Sequence, residues 1–429
     1  MRLSGYSAES GRVPVQSYSR RESRSLDSTT VAQRLFEGKR VAMVTFSPYP
    51  SDPRPRRAAD ALLKQGAAVD LVCLADGKEP KREKAGGLDI VRVPIKHHRG
   101  GALSYAYQYS SFILVSAWIL AVRSLRRRYD LVYIHNMPDI LVLSSVVPKA
   151  LGAKVILDLH DPMPELMTTI FNLDKGSLGV RLIQRLEKWS MARADLILTV
   201  NIACNRLFAS RSCAPGKVGV VMNSPDEQIF PLRGPNCARS ERFILMYHGS
   251  LVERNGLDLA VEALAQVRET IPSAELRIYG RKTPFLEKVL ADVGERGLYN
   301  CVHYFGPRSL EQLVEDIGNC DVGIIPNHRS AFTEINTPTR IFEYLALGKP
   351  VIVPNAAGIC DYFDERSLVF FTLGNAADLA LKIEYVYSHP DEVVDIVRRG
   401  QDVFQEHSWP AERQRLTGFV ARLLRETDI

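Results

Sequence analysis

The sequence predicts an α/β protein of two doubly wound, Rossmann-like domains facing each other across a cleft. Three observations predict it. From Arg40 onward, short runs rich in Val, Ile and Leu alternate with amphipathic stretches, the pattern of parallel strands covered on both faces. The alternation stops in a polar stretch carrying Pro225, Pro231, Gly234 and Pro235, then restarts. A length of 429 residues also exceeds what one hydrophobic core usually organises.

In chain order, the first domain (38–223) has predicted strands at Arg40–Phe46, Val69–Leu74, Ile90–Val93, Leu131–His135, Lys154–Leu159, Leu196–Val200 and Val218–Met222. Amphipathic stretches such as Arg56–Gln65 and Val180–Arg193 lie between them. Residues 224–242 read as a linker. The second domain (243–407) has predicted strands at Phe243–His248, Glu275–Tyr279, Val302–Phe305, Asp321–Ile325, Val351–Val353 and Leu368–Phe371. A helix is expected to open on Pro338 and to end at Gly348, the usual Pro-first, Gly-last asymmetry. Ser408-Trp409-Pro410 breaks the chain before a last helix, Ala411–Arg425, within the segment 408–429. Residues 1–37 are rich in Ser and Arg and show no apolar period. They read as a disordered tail; an organellar transit peptide shares that composition, whereas a secretory signal would need an apolar core.

Hydrophobic content of 46% and charged content of 24% are those of an ordinary globular protein. The net charge of +6 suits an anionic small molecule or an anionic membrane surface. No block interleaves Lys and Arg with aromatics as nucleic-acid binding would require. The seven cysteines (Cys73, Cys204, Cys213, Cys237, Cys301, Cys320 and Cys360) are odd in number and form no Cys-x-x-Cys pair. They argue against a disulfide framework or a zinc site and for a reducing cytosol. Residues 102–122 carry no charge and lead into Arg123, Arg126, Arg127 and Arg128. Three readings fit: a core helix, a membrane span, or a helix in the membrane interface with Tyr105, Tyr107, Phe112 and Trp118 at the headgroups and the arginines on anionic lipid.

Ligands of open α/β sheets bind beyond the strand C-termini, so loops at those ends carry the functional argument. Ser47 to Arg57 holds Arg54, Arg56 and Arg57 at a helix start and lacks the glycines of a dinucleotide fingerprint. His135-Asn136-Met137-Pro138-Asp139 and Asp158-Leu159-His160-Asp161-Pro162-Met163-Pro164-Glu165 bring polar clusters to neighbouring strand ends. His248-Gly249-Ser250 through Arg254, Asn255 and Gly256 permits close backbone approach at Gly249, with Arg254 and a helix start favouring phosphate. Glu343 is placed to accept hydrogen bonds from a sugar diol, with Arg340 and the amides of Thr337 to Thr339 nearby for a phosphate. The chain has no Asp-x-Asp pair, so a leaving diphosphate would be neutralised by arginines and helix amides. No metal and no cofactor is expected.

With these residues in hand, the chain from about Gly38 onward resembles a family 4 glycosyltransferase of the GT-B fold, of the bacterial kind that builds cell-surface polysaccharides and glycolipids. The resemblance rests on the His135–Asp139, Asp158–Glu165 and His248–Gly256 segments and on Phe342-Glu343-Tyr344 through Pro350. It implies that the C-terminal helix crosses back onto the first domain and that the second domain binds a nucleotide-sugar. Glu343 would hold the ribose; Gly249, Ser250, Arg254 and Arg340 would hold the diphosphate. His160, with Asp161, would sit at the donor sugar, and Arg54, His135 and Asn136 on the acceptor side. It also implies retention of anomeric configuration through an oxocarbenium-like state.

Two departures stand out. The family's first Glu would fall at Ile335, whereas Glu334 lies one position away, leaving Glu334, Asn336 or Thr337 to contact the donor. Ser250 and Asn255 stand where the family often has Arg and Lys. The expected function is transfer of a hexose or N-acetylhexosamine to a lipid-linked or polysaccharide acceptor in the cytoplasm, with residues 105–128 a candidate surface for the inner face of the membrane. A sugar-nucleotide epimerase of the same plan, or a catalytically degenerate nucleotide-sugar-binding partner, are the alternatives.

Overall fold

The computed structural model describes residues 34–77, 79–95, 102–171, 173–174, 176–236 and 241–425. The expected tail lies almost wholly outside them. Its last residues do not behave as a tail: Phe36 is 1% exposed within the first hydrophobic core, and its N–H donates to the Gln65 carbonyl at 2.9 Å. Burying one aromatic ring is enough to tie the chain down here.

The first domain is an eight-stranded sheet of β1 (Arg40–Pro48), β2 (Ala68–Leu74), β3 (Arg82–Ala85), β4 (Leu88–Val93), β5 (Leu131–His135), β6 (Lys154–Leu159), β7 (Leu196–Thr199) and β8 (Val218–Val220). Their order is β3-β4-β2-β1-β5-β6-β7-β8, parallel except for the β3–β4 pair. All five residues of β5 are buried, as expected of a strand covered on both faces. Strand β3 was not predicted. Its sequence, Arg-Glu-Lys-Ala, is fully exposed, and such charge is what keeps an edge strand from pairing with other chains.

The second sheet contains β9 (Phe243–His248), β10 (Ala274–Tyr279), β11 (Val302–Gly306), β12 (Val322–Ile324), β13 (Val351–Pro354) and β14 (Val369–Phe371), in the order β11-β10-β9-β12-β13-β14. Strand order reverses between β1 and β5 in one sheet and between β9 and β12 in the other. Those are the points where an open α/β sheet leaves a crevice for ligand.

Two expected elements differ. The segment after His160 becomes a helix at Met163–Phe171, since Pro164 falls within its first turn, where a missing N–H costs nothing. The helix expected from Pro338 starts at Arg340 and ends at Ala346. The preceding turn is already tight, with the Ile341 N–H donating to the Pro338 carbonyl at 3.1 Å, and the Thr337 hydroxyl donates to the Gly358 carbonyl at 2.6 Å.

Beyond β8 the chain runs along the second domain. The Arg233 N–H donates to the Ala346 carbonyl at 2.7 Å, and the Asn236 N–H to the Gly348 carbonyl at 2.9 Å. Gly348 has φ +72°, and a Cβ there would stand 2.1 Å from the Gly234 carbonyl oxygen, so only glycine lets the linker pass. The last helix, Trp409–Arg425, returns to the first domain and packs Trp409, Leu416, Val420, Leu423 and Leu424 into its core. Glu412, fully buried, accepts from the Met222 N–H at 2.8 Å.

Helix Ala102–Arg126 lies on the first domain, with Phe112, Ile113 and Leu120 in its core. It is the one helix among the described residues that is long and apolar enough to cross a membrane. Its buried face and its Arg123 ion pairs to Asp70 (3.3 Å) and Asp89 (3.2 Å) hold it against the sheet instead. Phe112 faces that core, correcting its expected place among headgroup-facing residues.

Candidate active site

Strand β9 delivers His248 to its C-terminal end, and Gly249 turns the chain at φ +118°. A Cβ on Gly249 would meet the Arg340 Cδ at 3.3 Å, so the glycine lets that side chain lie across the turn. Gly256 closes the loop at φ +67°, with room for no Cβ: it would stand 1.9 Å from the Pro326 carbonyl oxygen. Asn255 Nδ2 donates to the Ser250 carbonyl at 2.8 Å, and the Tyr247 hydroxyl donates to the same oxygen at 2.9 Å. The Ser250–Asn255 loop is thus braced from within, and the Asn255 amide is spent on it rather than turned toward a ligand.

Two guanidinium groups flank this loop without a carboxylate partner among the described residues. Arg340 Nη1 donates to the His248 carbonyl at 2.6 Å, and its guanidinium lies 5.0 Å from the Tyr247 ring centroid. Arg254 lies 5.7 Å from the Phe332 ring, and its buried Nε has no hydrogen-bond partner. Burial holds the Arg254 guanidinium below its ordinary pKa, with Asp161 of the first domain pulling the other way. That opposing pull places Asp161 within electrostatic reach across the gap. Glu343 acts on Arg57 of the first domain in the same manner.

Glu343 is held by a residue that the sequence did not single out. His248 Nε2 is 2.7 Å from Glu343 Oε2, and His248 Nδ1 is 2.9 Å from the Tyr344 hydroxyl, which donates to the Met246 carbonyl at 2.9 Å. Tyr344 itself is fixed, because Gly323 in β12 leaves room for its ring (a Cβ there would be 2.4 Å from it). One carboxylate oxygen of Glu343 is therefore committed and the other is free to accept.

Across the gap, the Asn136 side chain holds the His160 loop. Its Oδ1 accepts from the His160 N–H at 3.1 Å, while its Nδ2 donates to the Asp161 carbonyl at 2.8 Å and to Asp139 Oδ1 at 3.0 Å. The His160 ring is left with a buried Nε2 that has no partner. The Asn327 Oδ1, beside Gly256, is likewise buried and unpartnered. Unsatisfied buried polar atoms are costly, and three of them, Arg254 Nε, His160 Nε2 and Asn327 Oδ1, lie on loops at strand ends, where a ligand could satisfy them.

Five expected site residues do other work. Arg54 is 7% exposed, and all three of its guanidinium nitrogens donate within the first domain. Its Nε and Nη2 grip Asp158 at 2.6–3.0 Å, and its Nη1 donates to the Val221 carbonyl and to Asn223 Oδ1, each at 3.0 Å. His135 is fully buried, stacked 4.7 Å from Tyr133 and 3.4 Å from Asp158, and burial pushes its pKa well down. With Asn136 at 3% exposed, none of the three can touch an acceptor; they support the His160 loop from beneath. Glu334 pairs with Arg329 at 2.6 Å and lines a depression with Pro164, Thr168 and Gln184, away from the His248–Glu343 pair. Thr337 accepts from Asn201 Nδ2 at 3.1 Å as well as donating to Gly358, which makes it a link between the domains. The six described cysteines are free thiols, and no cluster of metal-ligating side chains occurs among the described residues.

Asp139 gives a prediction. Burial pushes its carboxyl up to about 7, against the pull of the Asn136 amide. The folded protein keeps this proton up to about pH 7, whereas the unfolded chain releases it near 3.8. Its contribution to stability therefore falls as pH rises between the two, by a total on the order of a few kcal/mol. Asp139→Asn should melt progressively higher than the wild type as pH goes from 5 to 8. A difference in melting temperature that stays constant with pH would show that Asp139 is ionised throughout.

Two family models match the chain: a glycosyl transferase 4-like domain over residues 52–224 and glycosyl transferases group 1 over residues 231–403. A probable glycosyltransferase, WbjE, of Pseudomonas aeruginosa is 22% identical over 59% of this chain and 66% of its own length. A glycogen synthase of Mycobacterium tuberculosis is 23% identical over 43% of each. The matches thus span less than two thirds of either relative. Among solved structures, sucrose-phosphate synthase from Thermosynechococcus elongatus superposes with a TM-score of 0.72 at 17% identity, covering 90% of this chain and all of that one. Anabaena HepE in complex with UDP gives 0.63 at 15% identity, over 90% and 100%. Trehalose 6-phosphate synthase from Burkholderia multivorans gives 0.70 at 15% identity, over 91% and 97%.

Proposed function

Since this chain belongs to the family 4 glycosyltransferases of the GT-B fold, we propose that it is a retaining enzyme of the cytoplasmic face of a membrane. It moves a hexose or N-acetylhexosamine from a nucleotide-sugar to a lipid-linked or polysaccharide acceptor, and it needs no metal ion. One observation carries this reading. Two guanidinium groups with no carboxylate partner among the described residues, Arg254 and Arg340, flank the Gly249 turn beside a carboxylate with one free oxygen, and the buried His160 Nε2 is left without a partner on a strand-end loop of the first domain.

In this reading the free Glu343 oxygen accepts from a ribose hydroxyl while His248 keeps the other oxygen in place. Arg254 and Arg340 hold the diphosphate and stabilise the charge that builds on it as the glycosidic bond breaks. His160 hydrogen-bonds a hydroxyl of the donor sugar, and the acceptor attacks from the leaving-group side, which retains configuration. Asp161, next to His160 in the chain, adds a carboxylate whose electrostatic pull on Arg254 reaches across from the first domain.

The test is a thermal-shift panel of UDP, GDP, dTDP and ADP, since a ligand that binds only the native state raises the melting point. UDP comes first, being the nucleotide bound in the HepE structure. One nucleotide should stabilise the protein in the presence of a chelator. Glu343→Ala should weaken that nucleotide about 10–100-fold, the worth of charged hydrogen bonds. Unchanged affinity in the variant, or stabilisation that needs magnesium, would overturn the assignment.

A further inference from the structure

We infer that the outer face of helix Ala102–Arg126, with the arginine-lined groove at its C-terminal end, is a docking surface for an anionic phospholipid bilayer. The inference rests on the transferase reading only for the lipid on the acceptor; the surface itself is argued from its own residues.

One face of the helix is in the core, as described. The opposite face is apolar and bare: Tyr107, Leu114, Trp118 and Leu125 are 70–75% exposed. Their spacing of seven, four and seven residues puts them on a single stripe, about 27 Å long at 1.5 Å per residue. The adjacent short helix Val146–Ala150 adds exposed Val146 and Val147. An apolar strip of this length is unusual on the surface of a soluble monomer.

The charges beside the strip select its occupant. A groove of about 760 Å³, large enough for a phospholipid headgroup, opens between the C-terminal half of the helix and the β4–β3 edge. Within it, Arg40 and Arg123 are neutralised by Asp70 and Asp89. Arg82, Arg126 and Arg127 also line it, and no carboxylate pairs with them among the described residues. Arg128 is exposed alongside. Aromatic and leucine side chains on one face, with unpaired arginines at its margin, complement the acyl and phosphate layers of an anionic leaflet.

The direction of the helix gives the surface a use. Its N-terminal half packs at the end of β1, where Phe46 meets Tyr109 edge-on at 4.9 Å, next to the loop that opens on Ser47. Its C-terminal half packs at the start of β1, where Arg40 donates to the Arg123 carbonyl at 3.4 Å. A helix lying flat on the bilayer therefore brings the rim of the catalytic gap to the headgroup plane, where a lipid-linked acceptor presents its sugar or phosphate.

The experiment is flotation of the full chain with vesicles of phosphatidylcholine alone or mixed with phosphatidylglycerol. The wild type should float with the anionic vesicles and remain behind with the neutral ones. Arg82→Ser/Arg126→Ser/Arg127→Ser should lower partitioning roughly a hundredfold, at about fivefold per arginine near an anionic surface. Leu114→Ser/Trp118→Ser should lower it on anionic vesicles without changing the nucleotide thermal shift, which reports an intact fold. Equal flotation of all three proteins, or equal flotation on both lipids, would overturn the inference. So would a dimer in gel filtration that Trp118→Ser dissolves while flotation is unchanged, because the face would then belong to a second copy. Loss of nucleotide binding with flotation intact would sink the transferase reading and leave this one standing.

Discussion

Replacing His160 with alanine is expected to lower sugar transfer about 10²–10³-fold, the usual cost of removing one preorganised donor at a reacting centre. Nucleotide affinity should stay within a factor of two or so, because no nucleotide-binding role falls to this ring. The geometry explains the separation. The backbone of His160 is fixed by Asn136, so the loop keeps its shape when the ring is gone. The ring's Nε2 is buried and unsatisfied, so its hydrogen-bonding capacity is held for something outside the chain. Turnover and nucleotide affinity measured on the same preparation decide the matter. Full activity in the variant would mean that the sugar is held from the second domain alone.

Arg54→Ala should be the most destabilising single change, by about 3–5 kcal/mol, because it strips the partner from a buried charge. Burial by itself would raise the Asp158 carboxyl; the Arg54 guanidinium, helped by His135, overcomes it and keeps the group ionised below the ordinary carboxylate range. Without Arg54, Asp158 retains only the Tyr133 hydroxyl at 2.9 Å and a neutral imidazole. The variant should show a large drop in melting temperature, and Arg54→Lys should recover only part of it, since a lysine cannot reach Asp158, Val221 and Asn223 together. A stable Arg54→Ala protein with a raised KM for acceptor would restore the acceptor-side role that the buried geometry denies it.

Why some of this was legible in the sequence and some was not follows from how far apart the partners lie. Strands such as β5 and β9 announce themselves, because a strand covered on both faces must be apolar throughout. Strand β3 gives no such signal, since it exists only as the charged edge of β4. The Gly249 and Gly256 turn was readable as a place of close approach, and the structure supplies what approaches: the Arg340 side chain and the Pro326 carbonyl. His248 carries no local signal because its worth depends on Glu343, 95 residues later. Arg54 hides its partner for the same reason. Three arginines among prolines look exposed until Asp158, 104 residues away, is seen to bury one of them. Phe36 shows the limit of periodicity: a lone ring in a Ser- and Arg-rich stretch has no period to detect, yet one contact suffices to order it.

The return of the last helix to the first domain has a mechanical consequence. The polypeptide passes between the halves twice, once after β8 and once before Trp409, and each passage is fastened: Arg233 and Asn236 to the later half, Glu412 and Trp409 to the earlier. Two fastened passages define an axis, as two pins do on a door. The halves are also tied directly, where Asn201 Nδ2 donates to the Ile335 carbonyl at 2.8 Å and Arg206 pairs with Asp361 at 2.7 Å. A ligand held on the later half would thus meet His160 in a geometry set by both passages and by the direct links between the halves.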